Sequence, residues 1–304
     1  MNKGTVPKLQ RSWDLRAACN FIGGGTGTGL LVFAAISAVI GAPFAAAGLL
    51  ALVFVGFGLS MVWLEIGKPL RAINVFFHPQ TSWMTREGIV ALPLFALAAL
   101  AVLIALARPD LDVAAALTME AAAAVGLGFL YCQARILRAA KGIRAWSEPA
   151  ILPLIVASGF AEGAGVYLVL AGLTGAQPLW TYALALLLCG ARYGAWWHYR
   201  RQLAANGAPA GTLNVLNEAE PLVAWAGHAA PAVLLVLALA GVLPDVLAVL
   251  AGLAMAVSGW FVKVTIVLRA ARSNGFAVAH TPVRGRGTSR AGERHGWQLP
   301  HQGG

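Results

Sequence analysis

The sequence predicts an all-α integral membrane protein: a bundle of eight transmembrane helices with both termini in the cytoplasm. Three observations predict it. Of the 304 residues, 59% are hydrophobic and 11% are charged, with a mean hydropathy of +0.73, whereas a soluble domain carries about 25% charged residues. The apolar residues fall into runs near the ~20 that a helix needs to cross hydrocarbon. The cations sit almost entirely on one side of those runs.

The expected spans are 20–40, 43–64, 87–107, 111–134, 149–173, 178–197, 221–241 and 244–268. Short breaks rich in Pro, Gly or Asp separate several of them: GAP at 41–43, RPDLD at 108–112, TGAQP at 174–178 and LPD at 243–245. Four spans open at or near a proline, which the first turn of a helix tolerates. At 41–43 the alternative is one long kinked helix. Residues 1–19 form a cytoplasmic segment, 20–268 the membrane domain and 269–304 a basic, flexible cytoplasmic tail.

Charge placement gives the orientation. Lys3, Lys8, Arg11 and Arg16 precede the first span, and Lys68, Arg71 and Arg86 follow the second. Arg135, Arg138, Lys141 and Arg144 follow the fourth, and Arg200 and Arg201 the sixth. Arg269, Arg272, Arg284, Arg286, Arg290 and Arg294 are in the tail. Nineteen cations thus lie on one side, and Arg108 alone lies on the other. The positive-inside rule places the rich side in the cytoplasm, which fits a bacterial-type inner membrane. Arg192 and Lys263 remain, near span ends where they are expected to snorkel. The net charge of +10 reads as topology and lipid-headgroup attraction; no soluble basic domain is present to bind nucleic acid.

The stretch GGGTGTG at 23–29 has the letters of a phosphate-binding loop. Such a loop needs a strand before it and a water-filled pocket, and here an apolar run surrounds it. The favoured reading is packing. Gly23 and Gly27, and Gly25 and Gly29, are spaced by four and offer two flat helix faces to neighbours. A further option is that this thin helix borders a flat ligand.

Cys19, Cys132 and Cys189 are too dispersed to hold an iron–sulfur cluster, and their odd number argues against disulfides. His228 and His198 read as a bundle polar residue and an interfacial one, so neither haem nor any other metal site is expected. The polar, basic start has no cleavage site after its first apolar run, unlike a secretory signal.

The most informative segment is WLEIGKPLRAINVFFHPQTSWMTREG, residues 63–88. It interleaves Glu65, Lys68, Arg71, His78, Arg86 and Glu87 with Trp63, Phe76, Phe77 and Trp83. Charges among amphipathic aromatics at the membrane surface suit a ring with polar ends, such as a quinone. Glu65 is the candidate for proton transfer, and Lys68, Arg71 or Arg86 for stabilising negative charge. An interfacial aromatic belt with headgroup-binding cations explains the same residues.

The segment EIGKPLRAINVFFHPQTSWMTRE resembles the loop after the second span in anchors of dimethyl sulfoxide reductase-type complexes, members of the NrfD and polysulfide-reductase superfamily. Glu65, Gly67, Pro69, Arg71, Ala72, Ser82, Trp83, Arg86 and Glu87 carry the likeness. The eight-span layout and the glycine-rich first span with Asn20 also fit. The tail NGFAVAHTPVRGRG resembles the branch of phenylacetyl-CoA:acceptor oxidoreductase anchors.

The resemblance implies an anchor beneath a four-cluster iron–sulfur subunit, which in turn contacts a molybdopterin catalytic subunit. It implies a quinone, ubiquinone or menaquinone, held near Asn20, Gly24, Lys68, Arg71, His78, Trp83, Arg86 and Glu87, with Glu65 passing protons. The partner is expected on the cytoplasmic face, against the 65–86 and 135–148 loops. Glu65 stands where the dimethyl sulfoxide reductase anchor has a histidine. That anchor faces outward, whereas the charges here face inward. Cytoplasmic partners that oxidise their substrate and reduce quinone are therefore expected.

Glu120 and Glu162 lie within spans, where an acid needs a partner or water. With Glu65 they sketch a proton path; alternatively each hydrogen-bonds within the bundle, helped by Arg135, Arg192 or Tyr167. Two other functions fit parts of the sequence. A secondary transporter would share an intramembrane glutamate and glycine-rich spans, and a passive anchor would lack the quinone site.

Overall fold

The computed structural model describes residues 7–65, 69–175 and 178–274, and these are all-helical apart from turns and two isolated β-bridges. The long helices are α1 (Leu15–Val39), α2 (Ala45–Glu65), α3 (Trp83–Ala107) and α4 (Asp112–Ala139). A short α5 (Arg144–Ser147) leads to α6 (Ile151–Thr174) and α7 (Leu179–Ala205). Helix α8 (Ala210–Pro221) runs through a π-helical turn (Leu222–Ala229) into α9 (Ala230–Leu239), and α10 (Pro244–Val264) ends in a second π turn (Thr265–Arg269).

Local chemistry sets the ends. The Asp14 side chain accepts from the Arg16 backbone N–H at 2.8 Å and opens α1. Ser82 does the same for α3 through the Thr85 N–H. Gly41, at φ 71°, takes the left-handed turn that separates α1 from α2. The alternative of one kinked helix across 41–43 is thereby resolved in favour of two.

Seven helical stretches among the described residues are long and apolar enough to cross a membrane: Leu15–Val39, Ala45–Glu65, Trp83–Ala107, Pro109–Ala139, Ile151–Thr174, Ala210–Leu239 and Pro244–Arg269. They match seven of the eight expected spans, with the seventh starting eleven residues earlier than expected. The remaining expectation, 178–197, falls on α7. This helix has 27 residues but carries Arg192 and an aromatic, basic second half, and it is not among the seven. Its ends nevertheless lie far apart. Trp180 packs near Phe33 and Tyr167, whereas Asn206, just beyond its end, bonds Glu148.

Helix α1 is the axle. It is buried along most of its length, against α2, α4, α6 and α10. A Cβ on Gly23 or Gly27 would meet the α2 backbone at Phe54, Gly58 and Ala51; one on Gly29 would meet α6 at Gly159 and Gly163. Both four-spaced glycine pairs are therefore packing faces, and GGGTGTG is plain helix rather than a phosphate loop. The outer helices expose Leu49, Val53, Leu92, Leu103, Leu117, Leu187, Val236 and Leu253, a surface suited to lipid tails.

At one end of the bundle the chain knits together. Leu9 pairs with Arg272 and Ile143 with Ser273 as isolated bridges. Trp13 stacks on Trp146 at 4.5 Å, and the Trp146 indole donates to Ile266 O at 3.0 Å. Residues 8–14, 141–148, 206–212 and 266–274 thus share one end, hereafter the basic end.

Candidate functional site

At the basic end, Arg16 Nη1 donates to Leu64 O at 2.7 Å and holds the end of α2 against α1. After it, Pro69–Phe77 forms a 3-10 helix, and Phe76 folds back to lie beside Gly88. Arg86 Nε donates to Pro79 O at 2.7 Å and Nη2 to Gln80 O at 2.9 Å. Its guanidinium lies 4.1 Å from the centre of the Trp83 ring, and that of Arg135 lies 4.2 Å away. Arg135 also donates to Tyr131 OH at 2.7 Å. Trp83 is thus a platform that fixes two cations at the rim. Glu65 is partly exposed, within electrostatic range of Asp14 and Arg16. The Arg16 side chain, hydrogen-bonded to Asp14, holds that carboxyl below the usual carboxylate range.

Behind the rim lies a closed polar cluster. Glu87 is only 4% exposed; Asn20 Nδ2 donates to its Oε1 at 3.3 Å, and Gln133 Nε2 donates to Asn20 O at 3.0 Å. Gly24 makes room for it, because a Cβ there would collide with the Gln133 amide. Asn20 Oδ1 and Gln133 Oε1 are buried without a hydrogen-bond partner.

One residue along α1 a second cluster begins. Lys263 Nζ donates to Phe21 O at 2.8 Å and to Glu162 Oε2 at 2.7 Å. Thr26 Oγ1 donates to the same carboxylate oxygen at 2.7 Å and accepts from the Trp260 indole at 3.0 Å. Consecutive carbonyls of α1, Asn20 and Phe21, therefore join the two clusters. Gly25 and Gly259 give the ion pair its space: a Cβ on the first would meet Lys263 Nζ, and on the second Glu162.

A third cluster surrounds Arg192, which is 1% exposed. Its Nε donates to His228 Nε2 at 2.9 Å, Nη1 to Met255 O, and Nη2 to Gly227 O at 2.9 Å and Ser258 Oγ at 2.8 Å. Pro231 has no N–H for the Gly227 carbonyl four residues back, and the guanidinium takes its place. Because His228 Nε2 accepts, Nδ1 carries the proton and faces Val223 O at 2.7 Å. Both ring nitrogens are held by protein partners, as a bundle polar residue requires.

The expected site residues separate into groups. Asn20, Gly24 and Glu87 meet behind the rim, with Trp83, Arg86 and Glu65 on it. His78 is exposed on the loop beyond. Lys68 lies outside the described residues, as does the Arg71 side chain. Glu120 is exposed on α4, and no described hydrogen bond or ion pair joins it to Glu162. The expectation that Lys263 and Arg192 snorkel is overturned. Both are buried and turn inward, because Lys263 finds a carboxylate and Arg192 finds two carbonyls, a histidine nitrogen and a serine hydroxyl. Nor do Arg135 and Tyr167 serve Glu162: the first bonds Tyr131 and the second Ser37.

Gln133, Thr26, Trp260, Arg192 and Lys263 were not expected at a site. Pairing by elimination could have found one of them, since Glu162 needs a partner in hydrocarbon and few cations lie inside spans. Gln133 carried no such signal.

Residues 22–159 match the family model described as DMSO reductase anchor subunit (DmsC). The match covers most of α1, all of α2–α5 and the start of α6, and so the Glu65–Glu87 segment, Gly24 and Gln133. No curated protein matches the chain. Residues 22–159, a little under half of the chain, are thus similar to that anchor family, and the seven long apolar helices support a multi-pass membrane protein.

Proposed function

We propose that the chain is the quinone-reactive anchor of a molybdopterin oxidoreductase. Electrons arrive from a four-cluster iron–sulfur subunit docked at the basic, cytoplasmic end and leave to ubiquinone or menaquinone, while the catalytic partner oxidises its substrate. The eighth crossing is α7, whose two ends reach opposite ends of the bundle.

One observation carries this reading. A buried acid, Glu87, sits with Asn20 and Gln133 directly behind a rim of fixed guanidiniums, all within or beside the matched segment. The residues fit a quinone. The unpartnered oxygens Asn20 Oδ1 and Gln133 Oε1 suit the hydroxyls of its reduced ring, and the cations suit its carbonyl ends. When bound, a quinone supplies an acceptor for two electrons and two protons. Glu65, partly open to water, holds a proton at its carboxyl and delivers it. Glu87 holds the second, oriented by the Asn20 amide. Arg86 and Arg135, pinned on Trp83, stabilise negative charge, with Lys68, Arg71 and His78 from the connecting loop. Gly24 keeps α1 thin beside Gln133.

The test is isolation of the complex through this chain. An iron-containing partner should accompany it, and quinone reduction should fall by about a hundredfold in Glu87→Gln and Glu65→Gln at unchanged iron content. A chain that purifies without any cluster-bearing subunit overturns the reading.

A further inference from the structure

A groove of about 370 Å³ opens between the last turns of α7 and helix α8, lined by Trp197, Arg200, Arg201, Leu213, Leu216 and Asn217. It lies outside the family match and takes no part in the clusters described above. One edge is cationic. Arg201 is exposed, lies 5.2 Å from the Trp197 ring centre, and has no acidic partner among the described residues. Arg200 pairs with Glu220 at 2.5 Å and donates to Asn217 Oδ1 at 2.7 Å, but its Nε is buried with no partner. The other wall is apolar: the Trp197 indole, 51% exposed, with Leu213 and Leu216.

Depth narrows the ligand. At 1.5 Å per residue, Trp197 lies about 27 Å along α7 from Leu179, and Arg201 about 33 Å. Hydrocarbon is about 30 Å thick. The indole then sits at the interface, where tryptophan is favoured, and the guanidinium sits just past it, at the level of lipid phosphates. This placement rests on the proposed crossing of α7.

We propose that the groove binds the phosphodiester headgroup of an anionic phospholipid, with an acyl chain lying on Trp197 and Leu213. Arg201 supplies the uncompensated charge, beside the partly exposed Arg200. Glu220 neutralises Arg200, so the groove offers one net cation, matched to a monoanionic phosphodiester.

The intact complex is equilibrated with vesicles of equal phosphatidylglycerol and phosphatidylcholine, then examined by native mass spectrometry. Wild type should retain phosphatidylglycerol selectively. Arg201→Gln should lower that retention about fivefold, the effect of one cation at the headgroup level, and Arg108→Gln, at the other end of the bundle, should leave it unchanged. Equal retention in wild type and Arg201→Gln overturns the proposal. So does displacement of the lipid by millimolar inorganic phosphate, which marks a free-anion site. Loss of a partner subunit from Arg201→Gln with lipid unchanged overturns it too, since the groove is then a protein dock. The crossing of α7 is read separately, by labelling Leu179→Cys with an impermeant thiol reagent. Reaction from the same side as Lys141 overturns that crossing whatever the lipid count.

Discussion

Lys263 Nζ lies 2.7 Å from Glu162 Oε2 with neither side chain exposed, so α10 and α6 are joined by charge through the body of the bundle. Thr26 and the Phe21 carbonyl bring α1 into the same contact. Removing one partner strands the other charge in a medium without water, at a cost of about 3–5 kcal/mol. Lys263→Met should therefore lower thermal stability in detergent sharply, and Lys263→Met with Glu162→Gln should recover most of it. An equal loss in both variants would show that packing, not charge, sets the effect.

The same carboxylate tests the proton path. If Glu162 conducts protons toward the rim, Glu162→Gln slows quinone reduction in assembled complex. An unchanged rate removes Glu162 from the path and leaves it as a tie between helices.

The glycines of α1 and α6 make a contrast with those of α7. A methyl on Gly29 meets the Gly159 carbonyl and the Gly163 backbone, with no flexible side chain to yield. Gly29→Ala should force α1 from α6 and lower folded yield. Nothing lies within 4 Å of a Cβ on Gly190. Gly190→Ala should fold normally and gain about 0.5–1 kcal/mol from helix propensity. Melting curves of the two variants decide it.

Much of this was legible in the sequence, for physical reasons that can be named. Hydrocarbon demands helices of a given length, so seven of the eight expected spans, read from apolar runs, match helices long and apolar enough to cross, and proline or glycine marks several of their ends. The two glycine faces followed from a spacing of four. Asn20, Gly24 and Glu87 were named together from a resemblance, and they do meet. What stayed hidden were the long-range pairings. Nothing local in WFVKV tells that Lys263 turns inward to an acid a hundred residues away rather than outward to water. Helix α8 was missed as the start of a longer helix because Asn214, Asn217, Glu218 and Glu220 interrupt its hydropathy, although Glu220 is satisfied by Trp196, Tyr193 and Arg200.

Arg192 offers a test of geometry against charge. Its planar fork serves His228, Met255 O, Gly227 O and Ser258 at once, which an ammonium cannot reproduce. Arg192→Lys should keep the charge yet leave Gly227 O unsatisfied, at about 1–3 kcal/mol. Faster amide exchange across residues 222–229, with α1 unaffected, is the expected signature.

Orientation is checked by single cysteines at exposed turns. Lys141→Cys should react from the cytoplasmic side and Asp110→Cys from the opposite side. The reverse pattern would place the Glu65 rim outside the cell and exclude a cytoplasmic partner.

The pairing of Leu9 with Arg272 and of Ile143 with Ser273 fastens the first and the last of the described residues to one spot. Lys8 and Ser273 even share hydrogen bonds. A fluorophore attached at Lys8 or at Ser273 would thus sit on the same small patch, beside the 141–148 turn. A bulky label at either position should interfere with assembly alike.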